Sequence, residues 1–114
     1  MAVTDAVNGK QVAVVPIGEH PDAAAFDEKR AVAYSSNGDG TLSVIHQDTA
    51  DQYTVSDTVT TQRGARTMAL DGDSGKVYLV TADFGPAPAA TAAQPRPRPA
   101  PIADSFVVLV VGKR

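Results

Sequence analysis

One segment of this chain occurs twice. Residues 21–45 read PDAAAFDEKRAVAYSSNGDGTLSVI and residues 65–80 read ARTMALDGDSGKVYLV. Placing Phe26 on Leu70 sets Asp27 on Asp71, Arg30 on Lys76 and Ala33-Tyr34 on Leu79-Val80. The offset of about 44 residues is the length of one four-stranded propeller blade. A single blade cannot bury both of its faces, so the period predicts an all-β fold built from stacked blades.

Length sets up a conflict with that expectation. The chain has 114 residues, enough for one small domain. A closed propeller needs at least about four blades, so the expectation here is a partial propeller spanning 1–114. Its units are an outer strand of a preceding or closing blade (1–18), one blade (19–60) and a last blade (61–114). The formal net charge is −3 and the isoelectric point about 5.1. Neither suits a nucleic-acid partner or an anionic membrane. Cysteine is absent, which removes disulfides and thiolate metal sites. The residues after Met1 contain no apolar h-region, so no signal peptide is expected in this chain. The longest apolar run, residues 106–111, is too short to span a bilayer and reads as a buried strand, so no membrane insertion is expected.

Strand signals dominate the rest. Residues 11–15, 23–26, 31–35, 41–45, 53–59, 67–70, 76–81 and 106–111 are β-branched, alternating or short apolar runs. Asn37-Gly38-Asp39-Gly40 and Asp71-Gly72-Asp73-Ser74-Gly75 are turn sequences, because Asn, Asp and Gly tolerate positive φ. No window keeps a 3.6-residue period. The alanines of residues 22–30 could form one helical turn, but the repeat argues for a strand. Six of the eight prolines lie within residues 84–104. That stretch favours extended, polyproline-like backbone and stays out of sheet ladders. It is an insertion in the second copy, where the first has only the turn at residues 37–40. Lettering strands A to D from a propeller axis outward, the order is D-ABCD-ABC. These eight strands are enough for two antiparallel blades if termini pair. The partners expected from that order are remaining blades or copies of the chain itself.

The residues also resemble a known family. AYSSNGDGTLSVI (33–45) is similar to the Tyr-Val-Thr-Asn repeat, with consensus VYVTNxxDGTVSVID. VTDAVNGKQVAVVPIGEHPDAAAFD (3–27) is similar to the join VIDxxTGKVVATIPVGxxPxGVAVSPD between consecutive repeats. Ser35-Ser36 replaces Val-Thr, His46 replaces the usual Asp, and Ala82 follows the second copy where Asn is usual. The resemblance implies a β-propeller of which this chain is a C-terminal portion. It implies an extracytoplasmic parent: periplasmic, secreted or on the cell surface. The family includes surface-layer and lactonase-like members.

Propellers bind ligands on the face made by their D-to-A and B-to-C loops. Those loops are residues 18–22, 37–40, 62–66 and 83–104. They carry Glu19, His20, Asp22, Asn37, Asp39, Gln62, Arg63, Arg66, Asp83, Arg96 and Arg98. Glu19-His20 match Arg63 one repeat on, and Asp22 matches Arg66. The candidate ligand set is His20, Asp22, Asn37, Arg63, Arg66 and Asp83. Arg63 and Arg66 would offer planar forks to an anion and His20 a base or ligand. The competing reading is a set of inter-blade salt bridges, such as Asp22 with Arg66. A divalent cation on His20, Asp22, Asn37 and Asp83 is a weaker option, and no metal or cofactor is required. No GxxxxGK[ST], GxGxxG or GxSxG pattern occurs. His46 is expected on the surface after a strand. Pro95-Arg96-Pro97-Arg98-Pro99 reads as a solvated loop or a segment that docks on an aromatic groove. The function expected is a non-enzymatic binding scaffold for a protein or a small anionic ligand. A lactonase-like hydrolase fragment or a structural cell-envelope module are the alternatives.

Overall fold

The structure is a computed structural model and describes residues 1–113. It is all-β, with nine strands and no helix among the described residues. The strands form three antiparallel sheets. Strands β1 (Ala2–Thr4) and β2 (Gln11–Val14) make a hairpin. β3 (Pro21–Asp27), β4 (Val32–Asn37), β5 (Thr41–Thr49) and β6 (Gln52–Thr60) make a four-stranded meander. β7 (Met68–Leu70), β8 (Val77–Thr81) and β9 (Val107–Val111) make a three-stranded one. None of the sheets closes on itself.

Two expectations change. The N-terminal segment holds two strands rather than one, so the order is two, four and three strands. The eight-strand arithmetic for two completed blades therefore fails. Ala2–Thr4 is only three residues long and carries no period of its own; its partner β2 fixes it. The repeat also runs without a gap. Phe26 pairs with Ala33 and Leu70 with Val77, so Ala33 corresponds to Val77 and Tyr34 to Tyr78, not to Leu79 and Val80. The alanine-rich residues 22–27 lie in β3, as the repeat demanded.

The same turn links strands three times. Asp5, Asp27 and Asp71 each turn a carboxylate oxygen back onto a following backbone N–H: those of Val7, Arg30 and Asp73, at 2.7, 3.2 and 3.0 Å. Each turn then passes through a left-handed residue: Gly9, Ala31 or Gly75, with φ of 72°, 54° and 74°. In all three the aspartate caps its own turn and the chain reverses through a left-handed residue four positions later.

The core lies between the four- and three-stranded sheets. Tyr34, Leu42, Ala65, Val77 and Leu79 are buried together. Val32, Val44, Val59, Met68, Leu70, Leu109 and Val111 pack around them. Strand alternation explains the set: Tyr34 pairs with Val44 and Ser36 with Leu42, so these share one face. Ile45, one residue on, turns to the opposite face and is buried there; Val15 is also buried and lies outside the main cluster. Beyond the ladders, β3 lies against β7 and β2 against β6. Like edges of successive sheets thus sit side by side. The free face of the last sheet carries Tyr78, Val108 and Val110, exposed by 38%, 55% and 56%.

The proline-rich segment is tied down at its base. Phe84 bridges Pro101, the Gly85 N–H donates to the Ala100 carbonyl at 3.0 Å, and Ile102 N–H to Asp83 at 2.7 Å. The bonds of this bridge are made by the neighbours of Phe84 and Pro101, so the missing proline N–H costs nothing there and the segment is less separate from the sheet than its composition implies.

Candidate functional site

Four loops meet at one end of the sheets. The Gly38 N–H donates to the His20 carbonyl at 2.9 Å, and Gly64 N–H to the Gly38 carbonyl at 3.0 Å. Thr61 N–H donates to the Gly40 carbonyl at 2.8 Å. The Glu19 N–H donates to Asp39 Oδ2 at 2.8 Å. These bonds hold residues 18–22, 38–40 and 61–66 against one another with little freedom to part.

Glycine makes this approach feasible. A Cβ on Gly38 would stand 3.0 Å from Arg66 Cδ and 3.1 Å from His20 Cβ. The arginine stem and the His20 Cβ therefore lie against the Gly38 backbone. A Cβ on Gly64 would stand 3.0 Å from the Phe84 ring, so that ring rests on Gly64. Both arginines of the loop are anchored through their own carbonyls. Arg63 accepts the Thr81 hydroxyl at 3.0 Å, and Arg66 accepts the Ser36 hydroxyl.

The result is an open pocket of about 940 Å³. Glu19, His20, Asp39, Gln62, Arg63, Arg66, Asp83 and Arg98 bring its charged and polar groups, and Phe84 and Pro99 an apolar wall. Among the described residues, Arg63, Arg66 and Arg98 stand in no ion pair. The acids are more committed. Asp39 accepts the Thr41 hydroxyl at 2.6 Å, the Thr41 N–H at 3.0 Å and the Glu19 N–H. The Thr41 hydroxyl first, then the Glu19 N–H, hold its carboxyl below the usual aspartate value. Asp83 accepts the Gln62 amide at 3.1 Å.

Of the six residues expected at a site, His20, Arg63, Arg66 and Asp83 line this pocket. Asn37 is fully buried beneath it and does not. Its Oδ1 accepts the Ser35 hydroxyl, and its Nδ2 donates to Thr41 and Ser43, each at 3.0 Å. That network pins the turn that carries Asp39. Asp22 is exposed, and the ion pair expected between it and Arg66 is not formed. The inter-repeat ion pair sits at the other end of the sheets instead, between Lys29 and Asp73 at 2.6 Å. A smaller cavity there, about 410 Å³, is lined by Phe26, Asp27, Glu28, Lys29, Asp71, Gly72 and Asp73. His46 lies within β5 rather than after a strand, exposed, with Nδ1 2.9 Å from Asp48. No group of three or more His, Asp or Glu side chains could hold a metal ion among the described residues. No helix there is long and apolar enough to cross a membrane.

Phe84, Pro99 and the glycine floor escaped the sequence reading. Their signal was faint: an aromatic immediately after a strand at the foot of an insertion, and glycines beyond those a hairpin turn requires.

His20 has an unusual backbone. Its φ is 56°, and the residue one repeat on is Gly64, with φ of 81°. The second copy meets this left-handed position with glycine, and the first places an imidazole there. No protein-family model matches the chain, and neither a curated protein nor a solved structure does.

Proposed function

We propose that this chain is a non-enzymatic binding module made of propeller-type blades, with its ligand face at the four-loop pocket. The observation that carries this reading is the convergence there of three arginines without ion-pair partners on a floor of close-packed glycines. His20 adds to it. Backbone strain at a pocket residue, where glycine serves in the next copy, is the pattern of a side chain kept for what it contacts. An NMR screen of small fragments against the 15N-labelled chain tests it. Amide shifts should cluster in residues 18–22, 37–40, 62–66 and 83–104. Shifts confined to the opposite turns, residues 27–31 and 71–75, would contradict it.

The blade reading rests on the constant repeat and on the approach of β3 to β7 and β2 to β6. It also gives the open face of the last sheet an occupant. Tyr34 is only 8% exposed because the three-stranded sheet covers it. Tyr78 is its counterpart one repeat on, and its face calls for the same kind of cover. The partner is thus a further blade, which for the isolated chain is a second copy. The repeat resemblance supports an extracytoplasmic setting for the protein.

A further inference from the structure

Resting on the loop face as a binding surface, we propose a ligand class for it. The pocket takes a small molecule that carries a carboxylate or phosphate group on an apolar body. Arg63 and Arg66 come from the loop after β6, and Arg98 comes from the proline-rich segment. The two loop arginines are held at their carbonyls by Thr81 and Ser36. Arg98 is held through the stem at Phe84, Gly85 and Ala100. Prolines 97, 99 and 101 restrict the backbone around Arg98. Guanidiniums that are anchored at the backbone and lack an ion-pair partner are suited to bidentate contact with planar or tetrahedral oxyanions.

The acids nearby do not cancel this. Both oxygens of Asp39 are taken by Thr41 and Glu19, and Asp83 Oδ1 by Gln62. Glu19 is the remaining carboxylate of the pocket and selects against excess negative charge. The Phe84 ring, 47% exposed on its Gly64 seat, and Pro99 offer the surface for the ligand's apolar part. A volume of about 940 Å³ accommodates a compact metabolite-sized molecule.

The experiment is an NMR titration of the full 15N-labelled chain at fixed ionic strength, with inorganic phosphate, benzoate and neutral benzamide. Phosphate and benzoate separate the two oxyanion sources. At least one of them should shift the arginine Nε–Hε signals of Arg63, Arg66 and Arg98, and benzamide should not. For the anion that binds, Arg63→Ala or Arg66→Ala should weaken binding about tenfold. Glu19→Gln should tighten it. An unchanged remainder of the amide spectrum establishes that each variant folds. Benzamide binding as well as benzoate overturns the proposal, as does an Arg63/Arg66/Arg98 triple-alanine variant with undiminished anion binding. If neutral fragments bind the loops and neither anion does, this inference falls while the loop-face reading stands. If nothing binds the loops, both fall.

Discussion

Lys29 Nζ stands 2.6 Å from Asp73 Oδ1, and the two residues are 44 positions apart, one repeat length. Equivalent turns of successive sheets thus touch through equivalent positions. Beside them, Arg30 donates to the carbonyls of Gly72 at 3.4 Å and Asp73 at 3.0 Å, and to Asp27 at 2.8 Å. The ion pair is the weaker of the two links. Its side chains are 64% and 93% exposed, so water and salt screen it. Lys29→Ala should change stability by less than about 0.5 kcal/mol. Arg30→Ala removes the charge-assisted bonds and should cost more, on the order of 1 kcal/mol. Urea titrations of both variants check the ranking.

Two left-handed residues of the first copy, His20 and Ala31, correspond to Gly64 and Gly75 in the second. A left-handed backbone costs a non-glycine residue about 1–2 kcal/mol, and glycine's extra unfolded freedom gives back about half of that relief. Ala31→Gly should therefore stabilise by about 0.5 kcal/mol and leave fragment binding unchanged. His20→Gly should stabilise to a similar degree and weaken binding at the pocket. Gly75→Ala should destabilise, because a Cβ there would stand 2.7 Å from the Arg30 guanidinium. Thermal melts with parallel fragment titrations separate these outcomes.

Acid should loosen the chain through Asp27. Burial alone would raise this carboxyl, which is 2% exposed. The Arg30 side-chain bond, N–H bonds from Arg30 and Lys29, and the guanidinium charge outweigh it and lower the value. Asp39, Asp48 and Asp71 are lowered as well. A depressed carboxylate adds stability that is present above its unfolded value and is lost as pH falls through the folded one. Stability should be flat near neutrality and fall once pH drops below the ordinary aspartate value of 3.8. Asp27→Asn should be less stable at neutral pH and lose less on acidification. Denaturation midpoints across pH measure both.

The repeat, eight of the nine strands and the grouping of the four loops were legible in the sequence. Turn chemistry and alternation at Asn37–Gly40 and Tyr53–Val59 are local signals, and local signals survive in a single chain. Strand β1 was not legible, because Ala2–Thr4 gains its conformation from β2. The only hint was the Asp5–Gly9 turn, a copy of Asp71–Gly75. Asn37 and Asp22 show the limit for site residues. A turn asparagine reads the same whether it faces solvent or, as here, sits buried and bonded to three neighbouring hydroxyls. A charge match one repeat apart, such as Asp22 with Arg66, does not say whether the two side chains reach each other. Lys29 and Asp73 have the same spacing and do.

The proposed stacking of the sheets as blades, with Tyr78 exposed where Tyr34 is covered, predicts self-association of the isolated chain. Sedimentation velocity over a range of concentrations, with wild type beside Val110→Asp, tests this most directly. Val110 pairs with Tyr78 on the open face and is 56% exposed, so a carboxylate there would be desolvated by any blade that docks. The expected result is a wild-type weight average that rises with concentration, and a folded Val110→Asp variant that stays monomeric. A wild-type chain that is folded and monomeric at every concentration would contradict it.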